Sequence, residues 1–180
     1  AVVFLYLTAT GGVKPSPPSF KLLSALVAEF AFIDANRGFG ESVEALGDID
    51  GDGIPDMFVG APRADPLDGS GVLAADNGVG FVVFLTQDLG VGAAFLLSND
   101  LEELNGGQNF LNRADAFGSS AALLGAADPS FSTNITLAVA APGRGAVNDD
   151  VGTVFILSLV VAPGPVTLQP TATPLQEEEE

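Results

Sequence analysis

Two stretches of this chain repeat one another, and that constrains the fold more than any other feature. Phe39-Gly40 is matched by Phe117-Gly118, Leu46-Gly47 by Leu124-Gly125, and Ala61-Pro62 by Ala141-Pro142, so a unit recurs with a period close to 78 residues. A repeating unit cannot bury its apolar face alone and packs against its neighbour. Further echoes set the frame: "AVVFLYL" at residues 1–7 returns as "FVVFLTQ" at 81–87 and "TVFILSL" at 153–159, and "KLLS" at 21–24 returns as "FLLS" at 95–98. The chain divides accordingly into an N-terminal strand and Pro-rich loop (1–19), a first unit (20–86), a second, degenerate unit (87–162) and a Pro/Thr-rich acidic tail (163–180).

Each unit alternates apolar, β-branched runs of four to seven residues with clusters of Gly, Pro, Asn and Asp, which is the pattern of strands separated by turns. Strands are expected at 2–8, 41–46, 56–60, 80–86, 94–98, 119–124, 135–140 and 152–160. Residues 20–33 also satisfy a helical spacing through Phe20, Leu23, Val27 and Phe30, but the equivalent stretch of the second unit is broken by "NGG", which favours strand. The fold class is all-β.

Composition excludes much chemistry. The chain has no cysteine, histidine or tryptophan, which removes disulfides, thiolate sites and histidine acid/base catalysis. With 23 acidic against 6 basic residues the net charge is −17, a field that repels nucleic acid and attracts cations. The apolar run at the N-terminus is shorter than the roughly 20 residues of a membrane span. No catalytic pair stands out, and acids such as Asp65, Asp68, Asp149 and Asp150 read as turn formers. The segment from Asp65 to Asp76 is a candidate second cation loop. Arg63 and Arg144 follow the two "AP" pairs and suggest structural ion pairs.

The cations have an obvious destination. In "GDIDGDGIPD" the carboxylates of Asp48, Asp50 and Asp52 stand at alternate positions, Gly51 and Gly53 permit a tight turn, and Asp56 adds a fourth carboxylate. The Ile54 carbonyl falls at the seventh position, where calcium loops use backbone oxygen, and hard oxygen ligands of this kind suit Ca²⁺ better than Mg²⁺. Four carboxylates within nine residues repel one another unless a divalent ion neutralises them. An EF-hand is excluded, because its twelfth position requires Glu and Val59 stands there. The second unit retains only Asp128 in the matching segment and is not expected to bind calcium in the same way.

The elements "FGESV", "GDIDGDGIPD", "FVGAPRADP" and "GFVVFL", with "FGSSA", "LAVAAPG" and "GTVFIL" in the second unit, resemble FG-GAP repeats, the units of integrin α-subunit β-propellers and of bacterial integrin-α-like surface proteins. The resemblance covers roughly residues 20 to 160. It implies four-stranded antiparallel blades, calcium held by Asp48, Asp50, Asp52, Asp56 and the Ile54 carbonyl, an extracellular setting and no catalysis.

Two units cannot close a propeller ring of four to eight blades. Apolar residues at nearly every strand position mean that both faces of each sheet expect cover, and another copy of the chain is the natural cover. The expected protein is a calcium-stabilised extracellular structural module that self-assembles into a fibre or surface layer, with glycans or other surface proteins as further partners. The alternative is a ligand-binding adhesion module within a longer propeller. Asn134, in the sequon Asn134-Ile135-Thr136 of a degenerate loop, and Thr167, Thr171 and Thr173 in the tail are candidate glycosylation sites. The tail itself is expected to be extended and solvated.

Overall fold

A computed structural model of the chain describes residues 37–64, 77–87, 90–98, 111, 114–126, 134–143, 152–161 and 168–174. They form eight strands: β1 (Ser42–Gly47), β2 (Asp56–Ala61), β3 (Val79–Leu85), β4 (Val91–Leu97), β5 (Ser120–Ala126), β6 (Asn134–Ala141), β7 (Thr153–Val161) and β8 (Leu168–Pro174). These make two four-stranded antiparallel sheets of order β1-β2-β3-β4 and β5-β6-β7-β8, each a simple meander. Among the described residues the architecture is all-β, without a closed propeller. The N-terminal strand expected at 2–8 and the ambiguous stretch at 20–33 lie outside the described residues.

The hydrogen-bonded units are cut differently from the sequence repeat. β4 closes the first sheet, so that sheet spans 42–97 and runs across the division at 86/87, while the second spans 120–174. The tail is also corrected. Leu168–Pro174 is not a free linker but the fourth strand of the second sheet, paired along β7 from Val161↔Leu168 to Phe155↔Pro174. Pro170 and Pro174 argued against a strand, yet β8 is an edge strand, where a residue without an N–H costs no ladder bond if that side faces outward.

The repeat extends to the irregularities of the ladder. A register shift falls between Ala45 and Gly47 in β1 and between Leu123 and Gly125 in β5, at equivalent positions of the two units. The third strands differ: the sequence echo aligns Phe81 with Thr153, but Val59 pairs with Phe81 and Val139 with Phe155. The offset of two residues leaves every side chain on the same face, as a strand's period of two requires.

The two sheets stack face to face. Phe58, Val82, Phe84 and Leu97 of the first sheet share one core with Ile135, Leu137, Val139, Phe155 and Leu157 of the second. Full burial of each such side chain contributes about 1.5–3 kcal/mol. The other face of the first sheet, carrying Met57, Val59, Phe81, Val83 and Leu85, is buried as well, with Phe39 and Ile54 packed against it. Cover on both faces therefore holds for the middle strands β2 and β3, while Val43 on the edge strand β1 stays exposed. In the second sheet only the inner positions are buried, while Leu124 (57%), Val154 (41%) and Val160 (37%) remain exposed on the outer face.

Glycine sets the approach of the sheets. The Gly118 carbonyl accepts a hydrogen bond from Ser42 Oγ at 2.6 Å, and a β-carbon on Gly60 would collide with that carbonyl group. A β-carbon on Gly118 would in turn lie 3.2 Å from Gly60 Cα. The joint is completed by Leu123 N–H donating to Glu44 Oε1 at 2.9 Å and Phe117 N–H donating to the Asn77 carbonyl at 3.0 Å.

Candidate metal centre

The acidic loop joins β1 to β2, and its shape comes from its own side chains. Asp48 accepts the N–H of Gly51 through Oδ1 and that of Gly53 through Oδ2, both at 2.8 Å. Asp50 Oδ1 accepts Asp52 N–H at 3.1 Å, and Asp52 Oδ1 accepts Ile54 N–H at 2.7 Å. Asx turns of this kind wind a short chain segment without help from secondary structure. Gly51 and Gly53 take φ of 84° and 86°, the left-handed region in which a side chain is strained.

Asp56 belongs to a different environment. It is the first residue of β2 and is 1% exposed, with Oδ2 accepting Ile49 N–H and Oδ1 accepting Leu85 N–H, each at 3.0 Å. Ile49, also buried, plugs the loop into the core between the exposed aspartates on either side. Burial pushes the Asp56 carboxyl up to about 6, the two backbone donors pull it down, and the charges of Asp50 and Asp52 push it up again. Asp50 is raised in the same way, first by burial and then by the charges of Asp52 and Asp48, against the backbone donor of Asp52.

Asp48, Asp50 and Asp56 each offer a carboxylate oxygen within 4.8 Å of the others. Asp52 is not in that group; it is exposed and caps the Ile54 amide. Ile54 is half-buried against the first sheet. The donor set fits a hard divalent cation: three carboxylates converge, their backbone bonds fix their orientation, and burial, with neighbouring carboxylates adding to it, raises the proton affinity of two of them. Asp56 is what sequence spacing understated, because its bond to Leu85 spans 29 residues.

The remaining candidates fall as follows. Arg63 pairs with Glu41 at the surface, as its position after the first "AP" suggested, and Arg144 lies outside the described residues. Asp128 and the segment from Asp65 to Asp76 also lie outside them. Asn134 opens strand β6 and does not sit in a loop; Thr171 and Thr173 pair through their backbones with Ser158 and Ile156, and Thr167 is outside the described residues.

A four-stranded antiparallel meander carrying an acidic loop between its first two strands, stacked on a second meander of the same order, defines a tandem of blade-like units. Residues 39–85 match the FG-GAP repeat family. The match begins at Phe39, takes in the whole acidic loop, and ends at Leu85, the residue that Asp56 anchors. FG-GAP repeats often bind Ca²⁺ and are typically structural or binding modules. No helix among the described residues is long and apolar enough to cross a membrane.

Proposed function

We propose that this protein is an extracellular structural module, stabilised by calcium, that associates with further copies of itself through an apolar sheet surface. The observation that carries this reading is the contrast between the two sheets. The middle strands β2 and β3 of the first sheet are buried on both faces, with Val43 of β1 exposed at the sheet edge, whereas β7, a middle strand of the second sheet, leaves Val154 and Val160 exposed on the same face as Leu124 of β5. Aliphatic side chains held in water on one face of a sheet are better covered than exposed, and association with a further copy would cover them. Calcium enters as the counter-charge that lets Asp48, Asp50 and Asp56 stay ionised together, holding the β1–β2 loop against the end of β3. The reading includes no catalytic step, and glycans or other surface proteins would meet the module at surfaces other than this one.

Analytical ultracentrifugation and electron microscopy with calcium and with a chelator test it. Assemblies that form at high protein concentration and dissociate or soften on chelation are the expected result; a monomer at every concentration overturns it. A second reading, an adhesion module within a longer propeller, is favoured by the blade-on-blade stacking of the two sheets. The intact mass of the denatured protein from its natural source separates the two, since a polypeptide much heavier than 18.2 kDa supports the longer propeller.

A further inference from the structure

We infer that the β1 side of the first sheet is an open half-joint that receives the first two strands of a preceding repeat unit in the same polypeptide. The inference rests on the second reading above, a longer propeller, and names the surface and the partner.

Both sheets carry the same joining face. In the second sheet, Leu137, Val139, Phe155 and Leu157 share a core with the first sheet. Their counterparts are Met57, Val59, Phe81 and Val83, because Val59 pairs with Phe81 as Val139 pairs with Phe155, and Met57 with Val83 as Leu137 with Leu157. The aromatic contact beside the face is repeated as well: Phe39 meets Phe81, and Phe117 meets Phe155, edge to face at 5.6 Å and 69° in each case. The first sheet is thus built to be joined on this face as the second sheet is joined to the first.

Along β1 that joint stands open. Ala121 and Leu123 of β5 pack against the shared core. Val43 and Ala45 occupy the same rungs of β1, opposite Val59 and Met57, yet both are exposed, Val43 by 46%. The polar groups differ in the same way. At the existing joint the Gly118 carbonyl accepts Ser42 Oγ–H and Leu123 N–H donates to Glu44. Their counterparts, the Gly40 carbonyl and the Ala45 N–H, bond to no side chain among the described residues. Residues 1–36 repeat Val82 and Phe84 as Val2 and Phe4, but they hold no repeat of Ser42, Glu44 and Gly60. The missing half corresponds to β1 and β2.

These groups specify the occupant. It is a β-hairpin with a hydroxyl and, two residues on, a carboxylate on its first strand, and a glycine opposite the hydroxyl on its second, as Ser42, Glu44 and Gly60 are arranged. A second copy of this chain does not supply it. The β1–β2 hairpin of that copy is engaged with its own Gly118 and Leu123. Its β5–β6 hairpin places Ala122 where the carboxylate is needed and Ala140 where only glycine admits the carbonyl. An amide without an acceptor and a filled recess both disfavour that docking.

Hydrogen exchange followed by NMR in calcium tests the inference on the full chain and on the chain with a copy of residues 39–80 joined directly ahead of Ala1, as those residues stand ahead of Phe81. In the parent, the Ala45 amide is expected to exchange at least about tenfold faster than the Leu123 amide. The extension should remove most of that difference, and Glu44→Ala with Gly60→Leu in the copied segment alone should restore it. Equal protection of Ala45 and Leu123 in the parent overturns the inference, whether or not the extension folds. So does an extension whose added residues are themselves protected while Ala45 exchanges as before. A natural chain of 18.2 kDa overturns the longer propeller and the partner's attachment, with exchange at Ala45 still deciding the half-joint.

Discussion

Asp56 accepts the backbone N–H of Leu85, 29 residues further along the chain, at 3.0 Å. Its other oxygen takes Ile49 N–H, so one buried carboxylate ties the acidic loop to the exit of β3. Replacing Asp56 with Ala leaves two buried amides without acceptors, which costs about 2–4 kcal/mol. Asp56→Asn keeps one acceptor and is expected to lose about half as much. Urea unfolding of the calcium-free protein, where no metal contributes, checks the order of the two variants.

The same carboxyl gives the metal-free protein a pH dependence. Burial raises it to about 6 in the fold from an ordinary value of 3.8. The folded state thus holds a proton that the unfolded chain has already released, and protonation favours folding. This contribution is complete below the ordinary value and is lost as pH rises through about 6, a change of about 2–3 kcal/mol. In chelator, parent minus Asp56→Asn stability should fall between pH 4 and 7. Saturating calcium favours the ionised form and should reverse the slope.

Asp48, Asp50 and Asp56 converge, and Asp52 stands apart. Calorimetric titration with Ca²⁺ should show a loss of affinity of about tenfold or more for Asp48→Asn and Asp50→Asn, and a smaller loss for Asp52→Asn. Equal losses for all three would mean that bound calcium draws Asp52 into its shell.

Gly60 lies against the Gly118 carbonyl, with Ser42 Oγ on the same oxygen. Gly60→Ala forces the two sheets apart and is expected to cost about 2–3 kcal/mol, read as a lower thermal midpoint. Ala140→Gly, at the equivalent rung of the second sheet, relieves no such contact and should change stability by less than about 1 kcal/mol.

Ala116 has φ of 54°, whereas Gly38, its counterpart one residue before the other Phe-Gly pair, has φ of 74°. A left-handed alanine is strained by about 1–2 kcal/mol, and glycine recovers that at some cost in unfolded-state entropy. Ala116→Gly should therefore stabilise the protein by about 0.5–1 kcal/mol in the same unfolding assay.

Much of this protein is determined locally and so is legible in its sequence. Alternating apolar residues between turn clusters give seven of the eight described strands, the 78-residue period gives two sheets of one design, and Asp48, Asp50 and Gly51 shape a loop from neighbours within a few residues. Only the tertiary structure decided the rest, because it depends on groups far apart in the chain. Edge position let the proline-containing β8 join a sheet, and the distance to Leu85 made Asp56 a buried tie as well as a candidate ligand. Stacking turned Gly60 and Gly118 into a joint while leaving Leu124 and Val154 in water. Residue spacing fixes which side chains share a face; what covers that face is set by packing, which no local pattern records.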